Sequence, residues 1–96
     1  MHVGVARIAL ELAENSSLKG KRMVVRSVVQ RVRNRFNVAI AEVDTQDTWE
    51  TITLGMVCVS DDPRHANEML SKVIAFIESE RLDAEVGAVE LELIAV

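Results

Sequence analysis

Ninety-six residues make one domain with room for a single two-layer core, and a composition that is 49% hydrophobic and 27% charged excludes a disordered tail. A lone cysteine, Cys58, excludes an internal disulfide and a multi-cysteine metal site, and fits a reducing, cytoplasmic setting. The net charge of −4 hides a division: residues 17–36 carry seven of the eleven Lys and Arg residues and no acid, so the other residues carry −11, a polarity suited to an anionic partner met through one face.

From Val3 to Leu12 the chain alternates, with Ala6, Ile8, Leu10 and Leu12 on one side and Arg7 and Glu11 on the other, the period of a half-buried strand. The polar run 14–17 breaks it, and Ser17 is placed to cap a helix that runs to Phe36. At 100° per residue Leu18, Val25, Val28, Val29, Val32 and Phe36 form the stripe that faces the sheet. Lys19, Arg22, Arg26 and Arg33 line one flank of that helix, and Arg31 and Arg35 lie on the other. So many valines are poor helix formers, so packing rather than propensity must hold the segment helical.

Val38 to Asp44 reads as a second strand, 45–50 as a polar turn, and Thr51 to Val59 as a third strand with Ile52, Leu54, Met56 and Cys58 inward. Gly55 in mid-strand predicts a bulge or a close backbone approach. Asp61-Asp62-Pro63 starts a second helix that buries Ala66, Met69, Leu70, Val73, Ile74 and Ile77. Arg81 to Glu85 reads as a loop. Val86 to Val96 is the fourth strand, with Val89, Leu91, Leu93 and Ala95 alternating against Glu90 and Glu92.

The order β-α-β-β-α-β with right-handed crossovers gives an α+β, ferredoxin-like domain over 1–96: a four-stranded antiparallel sheet of order 4-1-3-2 with both helices on one face. Residues 15–22, 44–50 and 81–85 are then expected at one pole. The helix-free sheet face would carry Val3, Val5, Val57, Val59, Ile94 and Val96, a patch large enough to predict a homodimer there. No apolar run reaches the ~18 residues of a membrane span, and the start MHVGVARIALELAE lacks a cleavable signal, so the chain reads as mature and soluble, with no membrane partner.

No catalytic set, metal motif or cofactor loop is visible. His2 and His65 have no spaced partner, and Cys58 within an apolar alternation reads as a small buried hydrophobe. The loop 15–17 leads into a helix N-terminus flanked by Lys19, Lys21 and Arg22, which is either a capped helix with solvent-facing bases or an anion site. Trp49, the sole tryptophan, is read as a lid over the core end, the alternative being an exposed stacking platform beside Gln46 and Asp47. Asp44 and Asp47 read as turn caps that balance the basic helix start. Strands one and three lack the aromatic residues on which an RNA-recognition motif stacks bases.

Several of these segments together resemble the YlxP-like family of small bacterial proteins over nearly the whole length. They are Ser17-Leu18-Lys19 with Lys21-Arg22, Phe36-Asn37-Val38, Glu42-Val43-Asp44 with Gln46-Asp47 and Trp49, Leu54-Gly55, and Val59-Ser60 with Asp62. Gly20 departs from the acidic residue expected between the two lysines, which makes this end more basic. The resemblance implies a ferredoxin-like fold and, through genes that tend to neighbour those of translation-initiation and ribosome-maturation factors, a link to RNA or the ribosome. It implies no activity. The expectation is therefore a non-enzymatic RNA- or ribosome-associated module that docks Ser17, Lys19, Lys21, Arg22, Arg26 and Arg33 on phosphates. The alternative is a small oligomeric regulatory module holding an anionic metabolite at the helix N-terminus.

Overall fold

A computed structural model describes residues 1–12, 17–80 and 84–96. The elements run β1 (His2–Leu12), α1 (Leu18–Arg35), β2 (Ala39–Glu42), β3 (Thr51–Ser60), α2 (Pro63–Ser79) and β4 (Ala84–Ala95). The four strands form one antiparallel sheet in the order β2-β3-β1-β4, the expected ferredoxin-like order read from the other edge.

Alternation decides which face is buried. Ala6, Ile8, Leu10 and Leu12 of β1 and Ile52, Leu54, Met56 and Cys58 of β3 point into one core with Val28, Val29 and Val32 of α1 and Ala66, Leu70, Val73, Ile74 and Ile77 of α2. Leu18, Val25, Phe36 and Met69, expected in the same core, are half-buried at its margin. Gly4 permits this packing: a Cβ there would stand 2.7 Å from Leu70 Cδ1. Asp62 caps α2, its Oδ1 accepting from the Arg64 N–H at 2.9 Å, with Pro63 in the first turn.

Two strand ends and the position of the bulge differ from expectation. Strand β2 stops at Glu42 rather than Asp44, because Asp44 takes φ 65°, a left-handed turn conformation, although the Val43 N–H still reaches the Thr53 carbonyl at 2.8 Å. Ala84 and Glu85, expected in a loop, pair with Leu12 and Glu11 as the start of β4; 81–83 lie outside the described residues. Gly55 sits in an unbulged register, and the close approach is made by the Val43 side chain, 3.3 Å from where a Cβ would stand. The bulge falls instead where β4 passes Ala9, between the pairs Ile8–Val89 and Leu10–Val86.

The helix layer is displaced toward the β2 side. Helix α1 packs over β2 and α2 over β1 and β3, so β4 projects beyond them and none of its residues is buried. Val89, Leu91 and Leu93 do share the core face of the sheet, being paired with Ile8, Ala6 and Gly4, yet each remains 36–43% exposed. On the opposite face the pairs Val3–Val59, Val5–Val57 and Val3–Ile94 assemble the expected aliphatic patch, with Val57, Val59, Ile94 and Val96 exposed and Val3 and Val5 half-buried.

Candidate functional site

The basic residues of α1 are sorted by the environment each one meets. Ser17 holds the helix start as N-cap, its Oγ accepting from the Gly20 N–H at 3.0 Å. No acid occupies the first turn. Asn15 and Ser16 of the predicted anion loop lie outside the described residues.

Lys21 is the main correction. Expected on the surface, it is completely buried, its Nζ 2.9 Å from Glu42 Oε2 and donating also to the Thr45 carbonyl. Glu42 Oε2 accepts from Thr45 Oγ1 at 2.9 Å, and that hydroxyl accepts from the Thr53 N–H at 2.9 Å. An ammonium excluded from water must be paired and hydrogen-bonded, and this one is. The charge is spent on joining α1 to the end of β2, so Lys21 is not part of any phosphate-facing surface. Helical spacing could have found it: positions 21, 25, 28 and 32 fall on the same stripe as the valines.

The far flank is also engaged within the molecule. Arg31 Nη1 pairs with Glu80 Oε1 at 3.2 Å, and the Arg35 guanidinium lies 4.7 Å from the Phe76 ring centroid. Lys19, Arg22, Arg26 and Arg33 remain as an exposed stripe. At helical pitch they fall within about 60° of arc and rise about 21 Å from Lys19 to Arg33. Among the described residues no carboxylate pairs with any of the four. Arg33 alone is tethered, donating from Nη2 to the Ile40 carbonyl at 3.1 Å.

Trp49 is 53% exposed, so the lid reading fails: over half of the residue's surface faces solvent. The turn itself is held by Thr48 Oγ1, which donates to the Thr45 carbonyl at 3.0 Å and lies 3.2 Å from that of Thr51. Gln46 Nε2 donates to the Glu42 carbonyl at 3.2 Å. Asp47 is exposed. Asp44 balances not the helix start but Arg7 on the open sheet face, at 3.5 Å. The described parts of the expected pole come together, the Leu12 N–H donating to the Glu50 carbonyl at 2.7 Å and Lys21 clamping the turn from the α1 side, while 15, 16 and 81–83 lie outside the described residues.

Among the described residues no cluster of His, Cys, Asp and Glu is arranged to hold a metal ion, and no helix is long and apolar enough to cross a membrane. Burial pushes the Cys58 thiol above its ordinary range, outweighing the lowering by the hydrogen bond from the Gly4 backbone. Its Sγ lies 3.7 Å from the Ala66 carbonyl, a protonated thiol packed as a small core residue.

Residues 3–91 match the family model described as a protein of unknown function, DUF503. The uncharacterized protein YlxP of Bacillus subtilis (strain 168) is similar at 38% identity over 77 residues, 80% of this chain and 84% of the relative.

Proposed function

Because this chain belongs to the DUF503 family of proteins of unknown function, the YlxP-like family its sequence resembles, we propose from its own surface that it is a non-enzymatic RNA- or ribosome-associated module. Lys19, Arg22, Arg26 and Arg33 are the phosphate contacts, and Lys21 is withdrawn from the set. The observation that supports this is the exposed cationic stripe with no carboxylate partner among the described residues, on a chain whose net charge is −4. A solvated helix ordinarily carries Glu at i to i+4 to relieve such repulsion. An RNA partner places the protein in the cytoplasm, in keeping with its single thiol. Self-association belongs to the same reading, with a second copy of this chain as the partner.

About four contacts on a single strand predict affinity falling about fifty-fold between 50 and 200 mM salt through counterion release. The double substitution Arg22→Glu, Arg26→Glu should abolish binding and leave the circular dichroism spectrum unchanged. A pull-down from lysate at low salt, with and without nuclease, separates partner classes. Nuclease-sensitive capture supports RNA. Salt-independent binding, or none to any ribosomal RNA fraction, overturns the reading. Nuclease-resistant retention of a small anion points instead to a metabolite at the α1 N-terminus, where Lys19 and Arg22 are the exposed cations among the described residues.

A further inference from the structure

The two edges of the sheet are treated differently. Strand β2 is four residues long, and in its ladder with β3 the Val43–Thr53 bond makes Ile40 and Glu42 the residues whose backbone groups point outward. Both outward carbonyls are taken, Ile40 by Arg33 and Glu42 by Gln46. Strand β4 is twelve residues long, and among the described residues no side chain bonds its outer edge. Met1 and Val96 exchange both backbone hydrogen bonds, at 3.0 and 2.8 Å. By alternation Glu90, Glu92 and Ile94 then point their N–H and C=O groups toward β1, while Leu91, Leu93 and Ala95 point theirs outward. A long unpaired edge with apolar side chains is a template for another strand.

We propose that a second copy of this chain adds its β4 to this edge, antiparallel and two-fold symmetric, with Leu93 facing Leu93 of the other copy. This rests on the self-association in the reading above and deepens it by naming the seam. The acids decide the register. Centring the pair on Glu90 or Glu92 sets identical carboxylates directly opposite, and centring it on Leu91 sets Glu90 opposite Glu92 twice, each a destabilising like-charge pair. Sliding further toward Ala84 runs into the bulge opposite Ala9, past which inward and outward faces exchange.

The Leu93 centre avoids both conflicts. It pairs Leu91 with Ala95, Glu92 with Ile94 and Glu90 with Val96, and it makes about six backbone hydrogen bonds through residues that already point outward. A strand that reads compatibly against its own reverse is the requirement of a two-fold interface, which uses the same residues on both sides. The exposed leucines then pack across the seam, and on the open face Ile94 and Val96 of each copy stand opposite Glu92 and Glu90 of the other. The contact is thus made by the sheet's edge and not by stacking of its open face.

Sedimentation of the intact chain at high micromolar concentration comes first. A mass twice that of one chain is expected, and a monomer at every concentration overturns both the self-association and the seam. Leu93→Pro removes an outward N–H without touching the β1 ladder, so it should return the protein to monomer with an unchanged circular dichroism spectrum. Val59→Asp, two strands away on the open face, should leave the dimer intact. A dimer that survives Leu93→Pro and dissolves in Val59→Asp overturns the seam while sparing self-association. Mild oxidation of Leu93→Cys should give a covalent dimer and of Leu91→Cys should not, since only the residue at the dyad faces itself at disulfide distance and Cys58 is buried. Absence of that crosslink overturns the register even if Leu93→Pro fails to fold.

Discussion

Lys21 and Glu42 hold opposite charges 2.9 Å apart with the ammonium wholly removed from water. Truncating one partner strands the other, a loss of about 3 kcal/mol, whereas removing both together costs much less. Urea denaturation of Lys21→Met, Glu42→Gln and the double variant should therefore show strong coupling, and Arg22→Glu in the same assay should shift stability by no more than about 0.5 kcal/mol. Equal small effects at Lys21 and Arg22 would place Lys21 back on the surface. Cys58 makes a second test. Its thiol titrates higher in the folded chain than in the unfolded one, so the stability this contributes is fully present below the unfolded pKa and is lost as pH rises through the folded value. Thiol labelling at mildly alkaline pH should be slow in the native protein and fast in denaturant, and rapid native labelling would contradict the burial.

At the scale of the element, α1 is a core helix before it is a binding surface. Val28 and Val32 are fully buried beneath the arginines, and their β-branched side chains oppose helix formation in isolation, so the cationic stripe exists only while that face is packed. Val32→Ala should cost about 1 to 3 kcal/mol. RNA affinity measured well below the new unfolding midpoint should nonetheless match the parent, because the stripe lies on the exposed flank of the helix and not on its buried face. A fall in affinity without unfolding would mean that the stripe is not carried rigidly. Strand β4 shows the reverse case. From Val89 to Leu93 it alternates with its apolar residues on the same face as those of β1, but α2 meets it less closely than it meets β1, so the pattern that buries β1 leaves β4 exposed.

For the whole molecule, that lateral offset of the helix layer creates two unlike sides. On the β2 side, α1 covers the sheet, Arg33 and Gln46 close the edge, and the exposed cations run along the covering helix. On the β4 side, a bare strand carries Glu85, Glu90 and Glu92 among exposed aliphatics. The proposed phosphate contacts and the proposed β4 seam therefore lie on opposite sides of one small domain, so the two proposals are compatible.

The element order, the strand order and most of the core were legible in the chain, because they depend on period and capping: alternation in β1 and β3, the valine stripe of α1, and Asp62-Pro63 before α2. The basic helix was legible as a block of charge. What each charge does was not, since that depends on which neighbour it meets. Only the packing of α1 on β2 turned Lys21 from a surface base into a buried partner of Glu42, gave Arg31 to Glu80 and Arg35 to Phe76, and left four cations outward. Likewise only the placement of the helices decided that β4 stands uncovered and that Trp49 faces out. Local pattern determines how a segment folds and which face is apolar; what covers that face is a contact between segments distant in sequence, and it is set by the tertiary fit.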